Sequence, residues 1–158
     1  MSLLSFFEWC EDTAVGHAIR DSLWLFPVIE SVHLLALALI GGAILVVDLR
    51  LLGLGLRSQP VARLAREAQP WLVGGLVVML STGVLLFLSE SIKCYYSPPF
   101  WYKMTFLLLA LLFTATVRRK VAAASETSLG PVWGKLVALV SLALWFGVGF
   151  SGRWIAFY

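Results

Sequence analysis

Pro27-Val-Ile-Glu30-Ser-Val-His33-Leu-Leu-Ala-Leu-Ala-Leu-Ile-Gly41-Gly42-Ala-Ile-Leu-Val-Val47 is a run of 21 residues, apolar at nearly every position. As a helix rising about 1.5 Å per residue it reaches about 30 Å, enough to cross the hydrocarbon core of a bilayer. Two of its residues are ionisable, Glu30 and His33. Ionisable groups inside a spanning helix are costly, so each is a candidate functional residue. Their spacing of three puts them on one helix face. Leu34, Leu37, Gly41, Ile44 and Asp48 extend that face at spacings of three and four.

The rest of the composition agrees. The chain has 158 residues, 60% hydrophobic and 13% charged, with a mean hydropathy of +0.90. Soluble domains carry about 25% charged residues, so this is an integral membrane protein of one domain. A net charge of +3 does not indicate nucleic acid, because the cations sit between apolar runs where membrane topology accounts for them. The first 20 residues hold Glu8, Glu11 and Asp12 and lack a basic start followed by an apolar run. Insertion is therefore expected to rely on the first span rather than on a cleaved signal peptide.

Residues 1–22 read as one amphipathic helix lying at the membrane interface. Leu3, Phe7, Cys10, Ala14 and His17 form its apolar stripe, and Ser5, Glu8, Glu11 and Asp12 lie on its other faces. Residues 23–158 form the membrane domain, with spans at about 24–48, 71–89, 100–117 and 133–157. A polar loop with Arg57, Arg63 and Arg66 precedes Pro70-Trp71, which opens the second span, and Ser89 to Pro99 read as a loop. Gly74, Gly75, Ser81, Thr82 and Gly83 in span two, and Gly147, Gly149 and Gly152 in span four, offer flat surfaces for close packing. The expected fold is an all-α, four-transmembrane-helix antiparallel bundle with an N-terminal interfacial helix.

Basic residues orient it. Arg50, Arg57, Arg63, Arg66, Arg118, Arg119, Lys120 and Lys135 fall on one side, and Arg20, Lys93, Lys103 and Arg153 on the other. The richer side is expected in the cytoplasm, which leaves both termini outside. Trp24, Trp71, Trp101, Tyr102, Trp133, Trp154 and Tyr158 mark the span ends as interfacial anchors. Asp48 and Arg50 read as a helix-end anchor that pairs internally or with Arg118.

This orientation gathers Glu30, His33, Lys103, Arg153, Glu90 and His17 in the outer half. Three readings compete for them. In the first, His33 ligates a b-type haem, His17 or Lys103 supplies the second ligand, Arg153 and Lys103 hold the propionates, and Glu30 orients His33. In the second, the charged groups only neutralise one another and fix helix register. In the third, Glu30 and His33 relay protons. Cys10 and Cys94 both fall on the outer side and are candidates for a disulfide, which an oxidising periplasm would favour.

Ile19-Arg20-Asp-Ser-Leu-Trp24-Leu-Phe-Pro27-Val-Ile-Glu30-Ser-Val-His33 and Asp48-Leu-Arg50-Leu-Leu-Gly53 resemble a family of uncharacterised bacterial four-span membrane proteins. Ser81-Thr-Gly83-Val-Leu-Leu-Phe87, Phe100-Trp-Tyr-Lys103-Met104 and Gly152-Arg153-Trp-Ile-Ala-Phe157 fit the same pattern. More distantly the layout is similar to HemJ-type protoporphyrinogen oxidases, in which a first-span histidine and a third-span lysine matter for haem binding, and to copper-resistance D-type membrane domains. That resemblance implies roles for His33 and Lys103. This chain departs from the HemJ pattern in its extra N-terminal segment and its Phe-Trp-Tyr-Lys opening of span three. It also lacks the Met and His richness of copper handling. The expected function is a small haem b protein of a bacterial inner membrane. It would pass electrons or anchor a redox complex with partner membrane subunits or further copies of itself, rather than act as an enzyme alone. The alternatives are a cofactor-free structural subunit and a small proton-relay or transport protein.

Overall fold

The computed structural model describes residues 2–55, 58–124 and 130–157; Arg57 and Tyr158, used above for orientation and anchoring, lie outside them. The described residues form helices and no strands. These are α1 Leu3–Glu11, α2 Ala14–Asp21, α3 Leu25–Leu52, α4 Val61–Ser89, α5 Ser91–Tyr96, α6 Pro98–Ala123 and α7 Pro131–Ile155. Helices α3, α4, α6 and α7 are long and apolar enough to span a membrane. The protein is thus the expected all-α, four-span multi-pass bundle. Antiparallel α3 and α4 pack together, as do α6 and α7, and α3 meets α7 to join the pairs. Helices α1, α2 and α5 cover one end, here the capped end; the other, where α3 and α6 finish, is the basic end.

Each long helix ends where its sequence dictates. Gly53, at φ +77°, closes α3 in the left-handed region that a side chain disfavours. Its N–H reaches the Arg50 carbonyl at 3.1 Å and the Leu54 N–H reaches Leu49 at 3.0 Å, a Schellman closure. Pro98 and Pro99 sit in the first turn of α6, where the missing N–H costs least.

The core is Ala36, Ile40 and Ile44 of α3, Met79 of α4, Ala110 of α6, and Trp145 and Val148 of α7. Its helices touch closely at two glycines. A Cβ at Gly75 would stand 2.8 Å from Ile40 Cγ1, and one at Gly147 2.7 Å from the Phe106 ring. Gly149, grouped with Gly147 by sequence, faces open space instead.

Four expectations need correction. The N-terminal segment is two helices, not one. Thr13 starts a new helix by accepting from Gly16 N at 3.2 Å while its hydroxyl donates to Cys10 O at 2.9 Å. The stripe therefore resets: Phe7 and Cys10 are buried, but Gly16 and Ile19 replace Ala14 and His17 as the inward residues. Helix α4 begins ten residues before Trp71, with Pro70 inside it. Val61 and Leu64 bury against Val47 and Ala122, and Arg63 pairs with Glu67 at 2.9 Å, so the segment before Pro70 has both a packed face and a solvated one. Residues 91–96, read as loop, form α5. Helix α6 continues past 117 through a π-helical turn, Thr114–Arg118, which carries Arg118 inward.

Candidate functional site

The register of the α3–α4 hairpin brings His33 to Thr82, just as it brings Ile40 to Gly75. His33, buried in its span, places Nδ1 2.9 Å from Thr82 Oγ1. The Thr82 hydroxyl has one proton, and its nearest acceptor is the Val78 carbonyl at 2.7 Å. Thr82 Oγ1 therefore accepts from His33 Nδ1–H, and the Met79 carbonyl also bears on the ring. This fixes the neutral tautomer with its lone pair on Nε2. Among the described residues Nε2 has no hydrogen-bond partner. Gly83 leaves the imidazole edge open, since a Cβ there would stand 3.3 Å from His33 Cε1.

Lys103 shares this layer. Helices α3 and α6 run parallel, and Arg118 of α6 bonds to Asp48 of α3, an offset of 70. The same offset pairs residue 103 with residue 33. Lys103 is half-buried, acts electrostatically on the His33 ring, and lies against Gly152, whose Cβ would be 3.6 Å from Nζ. Its ammonium makes no ion pair or hydrogen bond among the described residues. A half-buried cation and an imidazole lone pair thus sit at one depth, neither with a hydrogen-bond or ion-pair partner among the described residues.

The other sequence candidates are placed apart. Glu30 is exposed on α3. Arg153 is exposed, with its guanidinium 5.3 Å from the Phe157 ring centroid. Because Gly152 faces Lys103, its neighbour, turned about 100° further round the helix, faces away. His17 is exposed: its Nδ1 is 3.2 Å from Arg20 Nη2 and its Nε2 3.9 Å from Asp12 Oδ1. Among the described residues no group of three or more His, Cys, Asp or Glu side chains is placed to hold a metal ion.

A clamp over this layer was not read from the sequence. Arg20 donates to the Ser89 carbonyl at 3.0 Å and the Glu11 carbonyl at 3.1 Å, and pairs with Glu11 Oε1 at 3.1 Å. Glu11 Oε2 accepts from Ile92 N at 2.6 Å and so caps α5. Gly16 lets α2 lie on the end of α4: a Cβ would stand 2.5 Å from the Leu88 carbonyl oxygen. Phe7 is set edge-on to Phe87, Tyr95 and Phe100. Cys10 and Cys94 are buried, free thiols in this cap. Burial raises the pKa of both, and Cys94 is pushed up to about 11, with Glu90 adding to burial and Lys103 opposing it.

The basic end holds a second polar centre. Arg118 Nε donates to Asp48 Oδ1 at 2.9 Å and Nη2 to the Ile44 carbonyl at 3.3 Å, with Asp48 fully buried and Arg118 nearly so. One turn deeper, Trp145 Nε1 donates to Thr114 Oγ1 at 3.2 Å. Both α6 partners belong to the π turn, a distortion common where a helix serves a site. The Asp48–Arg118 pairing was among the sequence alternatives; its complete burial was not.

Comparison with curated proteins gives no match, and neither does comparison with solved structures. A family described as a family of unknown function (DUF6644) matches residues 6–158. With nearly its whole length matched, from the cap to the end of α7, this four-span membrane protein belongs to that family.

Proposed function

We propose that this protein holds a b-type haem at the capped end, where His33 Nε2 would ligate it and the Lys103 ammonium would compensate a propionate. The observation that carries this reading is the bonding of His33. An Nδ1–H fixed on Thr82, with the Nε2 lone pair left without a hydrogen-bond partner among the described residues, is the outer-shell arrangement that orients histidine ligands. The donor set fits in part: His33 and Lys103 share a depth, whereas His17 and Arg153 point elsewhere. His33 is therefore the histidine that would hold the haem, and His17, exposed beside Arg20 and Asp12, would not. Bound haem would supply one-electron redox chemistry. The protein's part is to orient the imidazole, compensate the carboxylate and cover the layer with the Arg20–Glu11 clamp. By the distribution of basic residues the capped end faces away from the cytoplasm of a bacterial inner membrane.

A through-bundle proton relay is less well supported. His33 and Asp48 are about 22 Å apart along α3, and Ile40, Ile44, Met79, Ala110 and Val148 fill the core between them. A second reading, a membrane subunit of a larger complex or homo-oligomer, draws on α7. There Phe146 and Phe150 stack at 6.0 Å on an exposed face. An absorption spectrum of detergent-purified protein, oxidised and dithionite-reduced, separates the readings. A Soret band with sharp reduced bands supports the haem site, and a featureless visible spectrum of folded protein refutes it.

A further inference from the structure

Helices α3 and α4 close on each other at Gly75, and beside that contact their outer surfaces leave a groove of about 610 Å³. Ala36 and Gly75, both buried, form its floor. Exposed Val32 and Leu39 of α3 and exposed Trp71 and Val78 of α4 form its walls, and no charged side chain lines it. A Cβ at Gly74 would meet nothing within 4 Å, so the groove stays open there. From Pro70 to Val78 it runs about 12 Å along α4. Both helices are long and apolar enough to be spans, so the groove faces hydrocarbon. A helix of another chain is about 10–12 Å across, wider than the about 8–10 Å between the axes of packed helices, and cannot enter between α3 and α4. An extended hydrocarbon chain can.

The groove also has a charged end. Arg66, Pro70, Gly74 and Val78 form one row at spacings of four, and the last three line the groove. Arg66 stands about 6 Å beyond Pro70 toward the basic end, past the Trp71 that marks the interface. It is exposed and makes no ion pair or hydrogen bond among the described residues, whereas Arg63 is taken by Glu67. An apolar slot that ends at a cation of headgroup depth matches one molecule class, a lipid with an acyl chain and an anionic head. We propose that the α3–α4 groove holds one acyl chain of an anionic phospholipid, with its phosphate on Arg66. The basic end is the side expected in the cytoplasm, and the cytoplasmic leaflet is the one rich in anionic lipid.

Native mass spectrometry of the detergent-solubilised protein tests this, with phosphatidylglycerol and phosphatidylcholine of identical chains as probes. Wild type is expected to retain one phosphatidylglycerol with about fivefold preference, the weight of one basic residue at a membrane surface, and Arg66→Gln to lose that preference. Gly74→Leu and Val78→Phe each fill the groove from α4 and are expected to lose the retained lipid, with thermal unfolding as the check that each is folded. Should one variant fail to fold, the other decides. Equal retention of the two lipids by wild type, a preference that survives Arg66→Gln, or lipid retained by a folded, filled variant overturns the proposal. So does a dimer that the filled variants dissolve, which would make the groove a contact between copies of this chain.

Discussion

Replacing Asp48 with Asn should be among the most damaging conservative changes in this protein. The substitution keeps size and shape but removes the charge facing Arg118, whose side chain is only 7% exposed. Breaking a buried pair by removing one partner costs about 3–5 kcal/mol, because the remaining charge stays buried without compensation. Solvent screening offers no relief, since Asp48 is fully buried. For a chain of this length about 1 kcal/mol corresponds to about 2–4 °C, so Asp48→Asn should lower the unfolding midpoint by about 6–20 °C. Replacing both members, Asp48→Leu with Arg118→Met, removes the orphaned charge and should recover most of that loss. The assay is intrinsic tryptophan fluorescence on heating in detergent, for Asp48→Asn, for Asp48→Leu and Arg118→Met singly, and for the double. A shift below about 2 °C for Asp48→Asn, or a double variant worse than both singles, would refute a buried ion pair that pins α6 to α3.

Three further outcomes follow from the capped end. Gly16→Ala puts a Cβ against two backbone carbonyls, those of Leu88 and Glu11, which cannot swing aside; it should loosen the cap and speed proteolysis before residue 25 while the four spans stay folded. Thr82→Val leaves His33 Nδ1–H without its acceptor, at a cost of about 1–3 kcal/mol, read as a lower midpoint and, in haem-loaded protein, as a shifted Soret band. The Cys94 thiol, with a pKa of about 11 against 9.0 for a free thiol, should carry about one-hundredth of the free thiolate at pH 8 and alkylate correspondingly slowly. Its unfolded form ionises first between pH 9 and 11, so its contribution to stability falls as pH rises through that range; alkylation followed by mass spectrometry at stepped pH checks the first part and thermal unfolding the second.

The four spans were legible because hydropathy over about 20 residues is a strong signal that tertiary packing does not override. Their limits were less so. Pro70 reads as a helix start in sequence, yet Val61 and Leu64 find a buried surface on Val47 and Ala122 that keeps the helix running through it. The N-terminal stripe reads as one helix until Thr13 takes Gly16 N as a cap and rotates the pattern. In the candidate site, residue type and depth were legible and direction was not. His33 and Lys103 were named at one depth, and the structure places them so. Arg153 and His17 were named on the same grounds, but each follows a glycine that occupies the inward position, Gly152 and Gly16. Thr82 carried a usable signal that was not taken: it lies seven residues before the end of α4, as His33 lies eight after the start of α3.

Whether His33 of the capped end is the haem-ligating histidine of this chain is decided by haem stoichiometry. Haem per protein is measured by pyridine haemochrome assay on wild type, His33→Ala and His17→Ala purified in parallel. Haem is expected in wild type, with retention in His17→Ala and loss in His33→Ala. Haem retained in His33→Ala, lost in His17→Ala, or absent from folded wild-type protein would contradict this assignment.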